Sequence, residues 1–233
     1  MNIKATNFKL FLVLSVILGI GIVPLNSDAQ TPESDRDKFG NFINIRPLRD
    51  FSAQAVSAIG SKQVDLRSNF RVVVSGELGY GADGKTIILK NPKSVTAEGD
   101  LSSGFSSATI KLVQDAVLAV GDSGYLSYLY QMKVRNVVIS VEQTTELFVA
   151  SIRADQKTES SAKSAASGLN AMFSVAKDFT KGDEQLILSQ MKSHSHGKDF
   201  VLEFKMPRAE FHKVLDAKIA ESLKTNAVGD AIK

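Results

Sequence analysis

The chain has 233 residues, with 28 Lys plus Arg against 25 Asp plus Glu and no cysteine. A formal net charge of +3 leaves the surface nearly balanced and gives no reason to expect a nucleic-acid partner. The missing cysteine excludes a disulfide framework, a thiolate nucleophile and any cysteine-ligated metal. An apolar fraction of 43% with 23% charged residues is that of a folded globular chain whose core needs no covalent staples.

The first 29 residues read as an address. Lys4 and Lys9 precede an apolar run from Leu10 to Val23 in which only Ser15 is polar. As a helix that run is about 21 Å long, short of a ~30 Å hydrocarbon core. Pro24 ends it, and Ser27-Asp28-Ala29 places small residues just before a cleavage point. The expectation is a signal peptide over residues 1–29 and an exported protein, periplasmic or secreted. The alternative is an uncleaved inner-membrane anchor facing the periplasm, with residues 10–23 as the only membrane contact. No cysteine follows the run, so lipid attachment of the bacterial lipoprotein kind is unavailable. An exported chain without disulfides suits a bacterial envelope.

Residues 30–46 open with the polar, charged stretch from Gln30 to Lys38 and read as a flexible leader. The domain proper is expected over 47–224. Pro47 opens a helical pattern with Leu48, Phe51, Ala55, Val56 and Ile59 on one face, stopped by Gly60. Phe70, Val72 and Val74 then alternate with other residues, and Thr86–Leu89 is rich in β-branched residues. Gly81-Ala82-Asp83-Gly84 lies between them as a hairpin turn. Ser106 to Val120 has helical spacing. The pattern recurs from Val137 to Ile152, with a turn at 143–146, and a helix follows that Thr158 can cap. Its stripe is Ala162, Ala165, Leu169, Met172, Phe173 and Ala176. A third hairpin, Leu188–Ser193 to Asp199–Met206, turns at Gly197-Lys198. Pro207 starts a last helix carrying Phe211, Val214, Leu215, Ile219 and Leu223. Residues 225–233 read as a loose tail. The fold class is α+β: one or two antiparallel sheets built from three hairpin-plus-helix units, with the helices layered on one face. A weak sub-boundary falls near 121–132.

Each chemical-looking motif has a plain structural reading. Gly79-x-Gly81-x-x-Gly84 has the letters of a dinucleotide fingerprint, but that chemistry needs a helix next, and the strand-like Lys85–Leu89 follows. Gly121-Asp122-Ser123-Gly124 resembles the serine segment of chymotrypsin-like proteases over four residues. No His precedes Ser123 to serve as its base, so the segment reads as a helix end and a helix start. His194 and His196, two apart, share one face of an extended segment and are the candidate metal pair, with Asp199 or His212 as a conceivable third ligand. The competing reading is a solvated hairpin tip. Glu77 and Glu203 fall within strand patterns and read as part of a wet sheet face. Tyr125, Tyr128 and Tyr130, with Leu126 and Leu129, form either a core plug or the chain's one candidate contact surface. No catalytic residue and no cofactor is nominated.

Phe70 to Val120 runs as an alternating strand, Gly76-Glu77-Leu78, Asp83-Gly84-Lys85, a second strand, Gly99-Asp100 and an amphipathic helix. This stretch, residues 70–120, resembles the TonB carboxy-terminal-like domains of bacterial envelope proteins, although the Tyr-Pro entry motif and the proline-rich spacer are absent. The resemblance implies a periplasmic protein-contacting module. The functional expectation is therefore an exported, non-catalytic binding or interaction protein of a bacterial envelope, its partner another envelope protein. The alternatives are an exported hydrolase with a dispersed active site and a membrane-anchored assembly subunit.

Overall fold

Helix α1 (Arg46–Gly60) begins where two signals coincide: Asn44 Oδ1 accepts the Arg46 N–H at 3.1 Å, and Pro47 occupies the first turn, where a backbone N–H would go unpaired anyway. The computed structural model describes residues 44, 46–96 and 104–230. The expected signal segment and almost all of the expected leader lie outside the described residues. Among those described, no helix is long and apolar enough to cross a membrane.

The remaining elements follow the hairpin-plus-helix order. They are β1 (Phe70–Tyr80), β2 (Ile87–Thr96), α2 (Gly104–Asp122), a short α3 (Ser127–Gln131), β3 (Asn136–Gln143) and β4 (Leu147–Asp155). Then come α4 (Glu159–Phe179), α5 (Asp183–Ser189), β5 (Met191–His196), β6 (Asp199–Pro207) and α6 (Arg208–Asp230). All six strands join one antiparallel sheet in the order β2-β1-β3-β4-β6-β5. The fold is α+β, with one sheet rather than two.

Period-two alternation decides which face is buried. Register places Val74, Ile139, Ile152 and Leu202 in one row across four strands, and Val72, Val141, Ala150 and Phe204 in the next. All eight are buried. The opposite face of β3 to β6 holds no buried residue. It carries half-buried valines among small and charged pairs, such as Ser140 Oγ against Ser151 Oγ at 2.8 Å and, where β3 meets β1, Arg71 against Glu142 at 3.7 Å. The helices layer on the first face. Two of them cross between parallel strands: α2 leaves β2, passes β1 and enters β3, and α4 leaves β4, passes β6 and leads to β5. In consequence α2 packs on β1 and β2, and α4 on β5 and β6. The middle of the sheet is left to α6, which touches β4 and β6, and to α1, which leans on α2 and α6.

Helix α4 carries the reciprocal cap its sequence announces: Thr158 Oγ1 accepts from Ser161 N at 3.1 Å, and Ser161 Oγ accepts from Thr158 N at 3.2 Å. It also closes an edge of the sheet. Asn170 Nδ2 donates to Ser193 O at 2.7 Å and its Oδ1 accepts from Ser193 N at 2.8 Å, so the N–H and C=O of Ser193 on edge strand β5 are both taken. The other edge strand, β2, contains Pro92 and faces a register shift in β1 between Ser75 and Glu77. At Gly121 the helix meets the sheet so closely that an added Cβ would lie 2.8 Å from Leu89 Cβ. Gly197, at φ 58°, makes the tight turn between the paired His196 and Asp199.

Several expectations need correction. Leu188 and Ser189 belong to α5, because the edge strand starts only at Met191. The segment 121–132 divides nothing: Leu126, Leu129 and Val134 are wholly buried in the same core cluster as the strands on both sides. The short helix there begins at Ser127, while α2 runs on to Asp122. The last helix continues to Asp230, into the segment expected to be a tail. Met172 leaves the buried stripe of α4 and is 67% exposed, whereas Phe173 is 5% exposed. Successive helical residues lie about 100° apart, so Ala162, Ala166, Leu169 and Phe173 face the sheet and Met172 does not.

Phe173→Ala is therefore expected to cost about 3–5 kcal/mol by opening a cavity, and Met172→Lys to stay within roughly ±0.5 kcal/mol. Urea melts of the two variants check this pair directly.

Candidate functional site

The candidate metal pair, His194 and His196, stands exposed on the face of β5 away from the helices. Asp199 is opposite His196, and Asp155 is opposite Asp199 on β4. A hydrogen bond with Asp199, then some burial and repulsion from the same carboxylate, push the Asp155 carboxyl above its ordinary range. His212 cannot join them: it is buried on α6, on the other side of the sheet. Among the described residues no group of three or more potential ligands is arranged to hold a metal ion.

The three tyrosines separate: Tyr125 is buried, and Tyr128 and Tyr130 are half-buried against the core. Leu126 and Leu129 anchor α3 against β1 and β2, and this carries Tyr125 and Tyr128 inward. Burial pushes both phenols well above their ordinary pKa, and Tyr128 Oη has no hydrogen-bond partner. Tyr130, half-buried like Tyr128, stands edge-on to Tyr80 at 5.5 Å with the Arg135 guanidinium 3.9 Å over its ring. Ser123 is buried; its Oγ donates to Val120 O at 2.7 Å and accepts from Tyr125 N at 3.3 Å. It finishes a helix. In the glycine-rich turn Asp83 accepts from the Lys85 and Thr86 amides and from the Thr86 hydroxyl, which hold its carboxyl down at about 2. That carboxylate closes a hairpin. Glu77 is exposed and Glu203 half-exposed on the uncovered side.

What the fold builds instead is an apolar crevice over the middle of the sheet. Phe70 and Phe148 floor it; Phe51 of α1, Leu112 of α2, and Phe211 and Leu215 of α6 wall it. Phe148 is held rigidly, stacked on Phe211 at 3.8 Å and 9° and edge-on to Phe204 at 6.1 Å. The free space is about 60 Å³. One water needs ~10–15 Å³, and a carbon-walled space of this kind stays dry. The exception in the wall is Gln143, 1% exposed. Its Nε2 donates to Leu66 O at 2.8 Å and Ser68 O at 2.6 Å; two carbonyls require the NH₂ end there, so Oε1 is the atom left without a partner. This amide pins the loop after α1 onto the sheet. Thr109 adds to the hold by accepting from Asp65 N and donating to Asp65 O. Arg208 donates to Asn69 Oδ1, Thr144 O and Arg67 O.

Beside the crevice lies an open polar cleft of about 670 Å³, lined by Arg67, Glu146, Arg208, His212, Lys213 and Asp216. Arg67 pairs with Asp216 at 2.8 Å, and Lys213 has no ion pair among the described residues. His212 is 9% exposed with its Nε2 unpartnered, edge-on to the Phe211 ring at 5.7 Å. Burial and then the charges of Arg208 and Arg67 lower its pKa, against the weaker pull of Asp216 and Asp65.

No family model, curated protein or solved structure matches the chain. The crevice itself escapes a reading of sequence because its parts are far apart in the chain. One signal was present: Val137, Ile139 and Val141 put residue 143 in the inward register, so Gln143 is a polar side chain at a core position rather than the turn residue it resembles.

A histidine with a lowered folded pKa binds protons less readily folded than unfolded. Its stabilising contribution is complete above the unfolded value near 6.5 and is lost as pH falls through that value toward the folded one. Stability measured by urea melts is expected to fall from about pH 7.5 to about pH 5.5, and His212→Gln is expected to flatten that part of the profile.

Proposed function

We propose that the protein is an exported, non-catalytic binding protein of a bacterial envelope, and that its binding site is the apolar crevice between the sheet and helices α1, α2 and α6. The observation that carries this is a preformed space of about 60 Å³ walled by carbon except for one amide. Such a space offers a small lipophilic molecule an environment water does not compete for. The resemblance of residues 70–120 to TonB carboxy-terminal-like domains also points to binding rather than chemistry.

Hydrolysis is the less favoured reading. It needs a nucleophile within hydrogen-bond reach of a base. Ser123 bonds the end of its own helix, and Nε2 of His212 meets no partner. Contact with another envelope protein is the second reading, favoured by Met172 and Val175, which are 67% and 58% exposed on α4.

Xenon is expected to bind saturably at one atom per chain, followed by the NMR shift of the dissolved gas. Ala55→Phe and Ala116→Met, each projecting bulk into the crevice, are expected to abolish the signal while the protein still melts cooperatively. Absence of saturable binding by the wild type, or undiminished binding by both folded variants, contradicts the proposal.

A further inference from the structure

The face of the sheet turned away from the helices is ordered by register into rows that run across the strands. One outer row holds Arg71, Glu142, Val149 and Lys205. At the other end of the same four strands stand Glu77 and Asn136, paired between β1 and β3, and Asp155 and Asp199, paired between β4 and β6. Halfway between the two ends, on the core side, runs the buried row of Val74, Ile139, Ile152 and Leu202. On these strands the ends differ in sign: the first has two cations against one anion, and the second has three carboxylates and no cation. Val73, Val138 and Val201 lie half-buried between them.

Strand β6 shows the imbalance most clearly. Asp155 and Asp199 stand opposite each other and hydrogen-bond, a contact that two ionised carboxylates cannot make without a shared proton, and the charge of Arg153 offsets their repulsion only in part. Lys205, at the other end of β6, is exposed and has no ion pair among the described residues. Extended chain holds Lys205 and Asp199 about 20 Å apart, so they cannot meet within one molecule. A second copy laid face to face on the first about a two-fold axis has two aligned choices. With the axis along the strands, Lys205 comes over Arg71 and Asp199 over Glu77, like charge on like. With the axis across the strands, under the row of Val74, Ile139, Ile152 and Leu202, Lys205 comes over Asp199 and Arg71 over Glu77. Every such contact then occurs twice and joins opposite charges. Glu203 falls beside Arg153, and Val138 beside Val73.

We propose that the open face of the sheet binds a second copy of this chain, sheet on sheet about a two-fold axis across the strands, with Lys205 of each copy set against Asp199 and Asp155 of the other. This does not depend on the crevice, which lies on the opposite side of the sheet. Five strands about 4.8 Å apart and seven residues at about 3.4 Å each make a face of about 24 by 24 Å, so the two copies together cover about 1,200 Å². That is the lower end of a specific interface, and its ion pairs lie toward the rim, so the dimer is a weak one in exchange with a folded monomer.

Sedimentation equilibrium is expected to show a monomer–dimer equilibrium with a Kd of about 10–100 μM, weakened by added salt. Lys205→Glu alone and Asp199→Lys alone are each expected to raise that Kd at least about tenfold, because each sets like charges together at both symmetric contacts. An equimolar mixture of the two variants, and the variant carrying both substitutions, are expected to associate as the wild type does. Cooperative urea melts establish that the variants fold; should one fail, Arg71→Glu and Glu77→Lys make the same test on β1. A wild type that stays monomeric to about 1 mM contradicts the proposal. A dimer indifferent to these substitutions uses another surface, and one lost in the single variants but not regained in their mixture has another symmetry. Either result overturns it.

Discussion

Six antiparallel strands that bury one face must be covered across the full width of the sheet, and the two crossover helices cover only its outer strands. That constraint shapes the rest of the molecule. Helix α2 is bound to β1 and β2, and α4 to β5 and β6, by the connections they make. Over β3 and β4 the cover comes from the two terminal helices of the described chain, α1 and α6, which no crossover forces into place. They rest on large side chains rather than on the sheet's small ones. Phe51, Phe148 and Phe211 hold the layers apart as well as together, and the space between them is the crevice. A well-packed interior leaves few voids larger than a water. A space of several waters' volume where the cover is indirect follows from the topology.

The loop after α1 is what keeps this loosely covered region closed on one side. Its carbonyls at Leu66 and Ser68 turn toward the sheet, and the Gln143 amide supplies both hydrogen bonds. A buried polar group left unpaired costs about 1–3 kcal/mol, so the loop and the sheet are bound to each other by what each would lose alone. Arg208 repeats the logic at the rim with three acceptors, two of them main-chain. The arrangement places a rigid polar edge next to an apolar hollow, and that juxtaposition is the most function-like feature of the chain.

Local physics carried the sequence reading a long way. Alternation at Val137–Val141, the Thr158 cap, Pro47 in the first turn of α1 and the turn at Gly197 each depend on neighbours in the chain, and each appears where it was expected. The failures are non-local. Met172 and Phe173 are equally apolar, and only the position of β5 and β6 beneath α4 decides which is buried. Tyr125, Tyr128 and Tyr130 left a core plug and a contact surface both open, and the packing of Leu126 and Leu129 against the first hairpin decides for the core at Tyr125. The charges of Arg208 and Asp216 on His212 are local to its helix, but those of Arg67 and Asp65 reach it across almost the whole length of the domain. The site was illegible for the same reason. Its floor and walls come from α1 and the loop after it, β1, α2, β3, β4 and α6, and no motif connects them.

Whether the space over Phe148 is accessible as well as empty is the question on which the account turns. A crystal of the protein pressurised with xenon answers it without assuming a ligand, because a dry, carbon-walled hollow of this size takes up the atom. The account predicts an anomalous peak between Phe51, Phe148 and Phe211, adjoining Gln143. A crystal that binds xenon nowhere in this region, with those rings closed on one another, would contradict it.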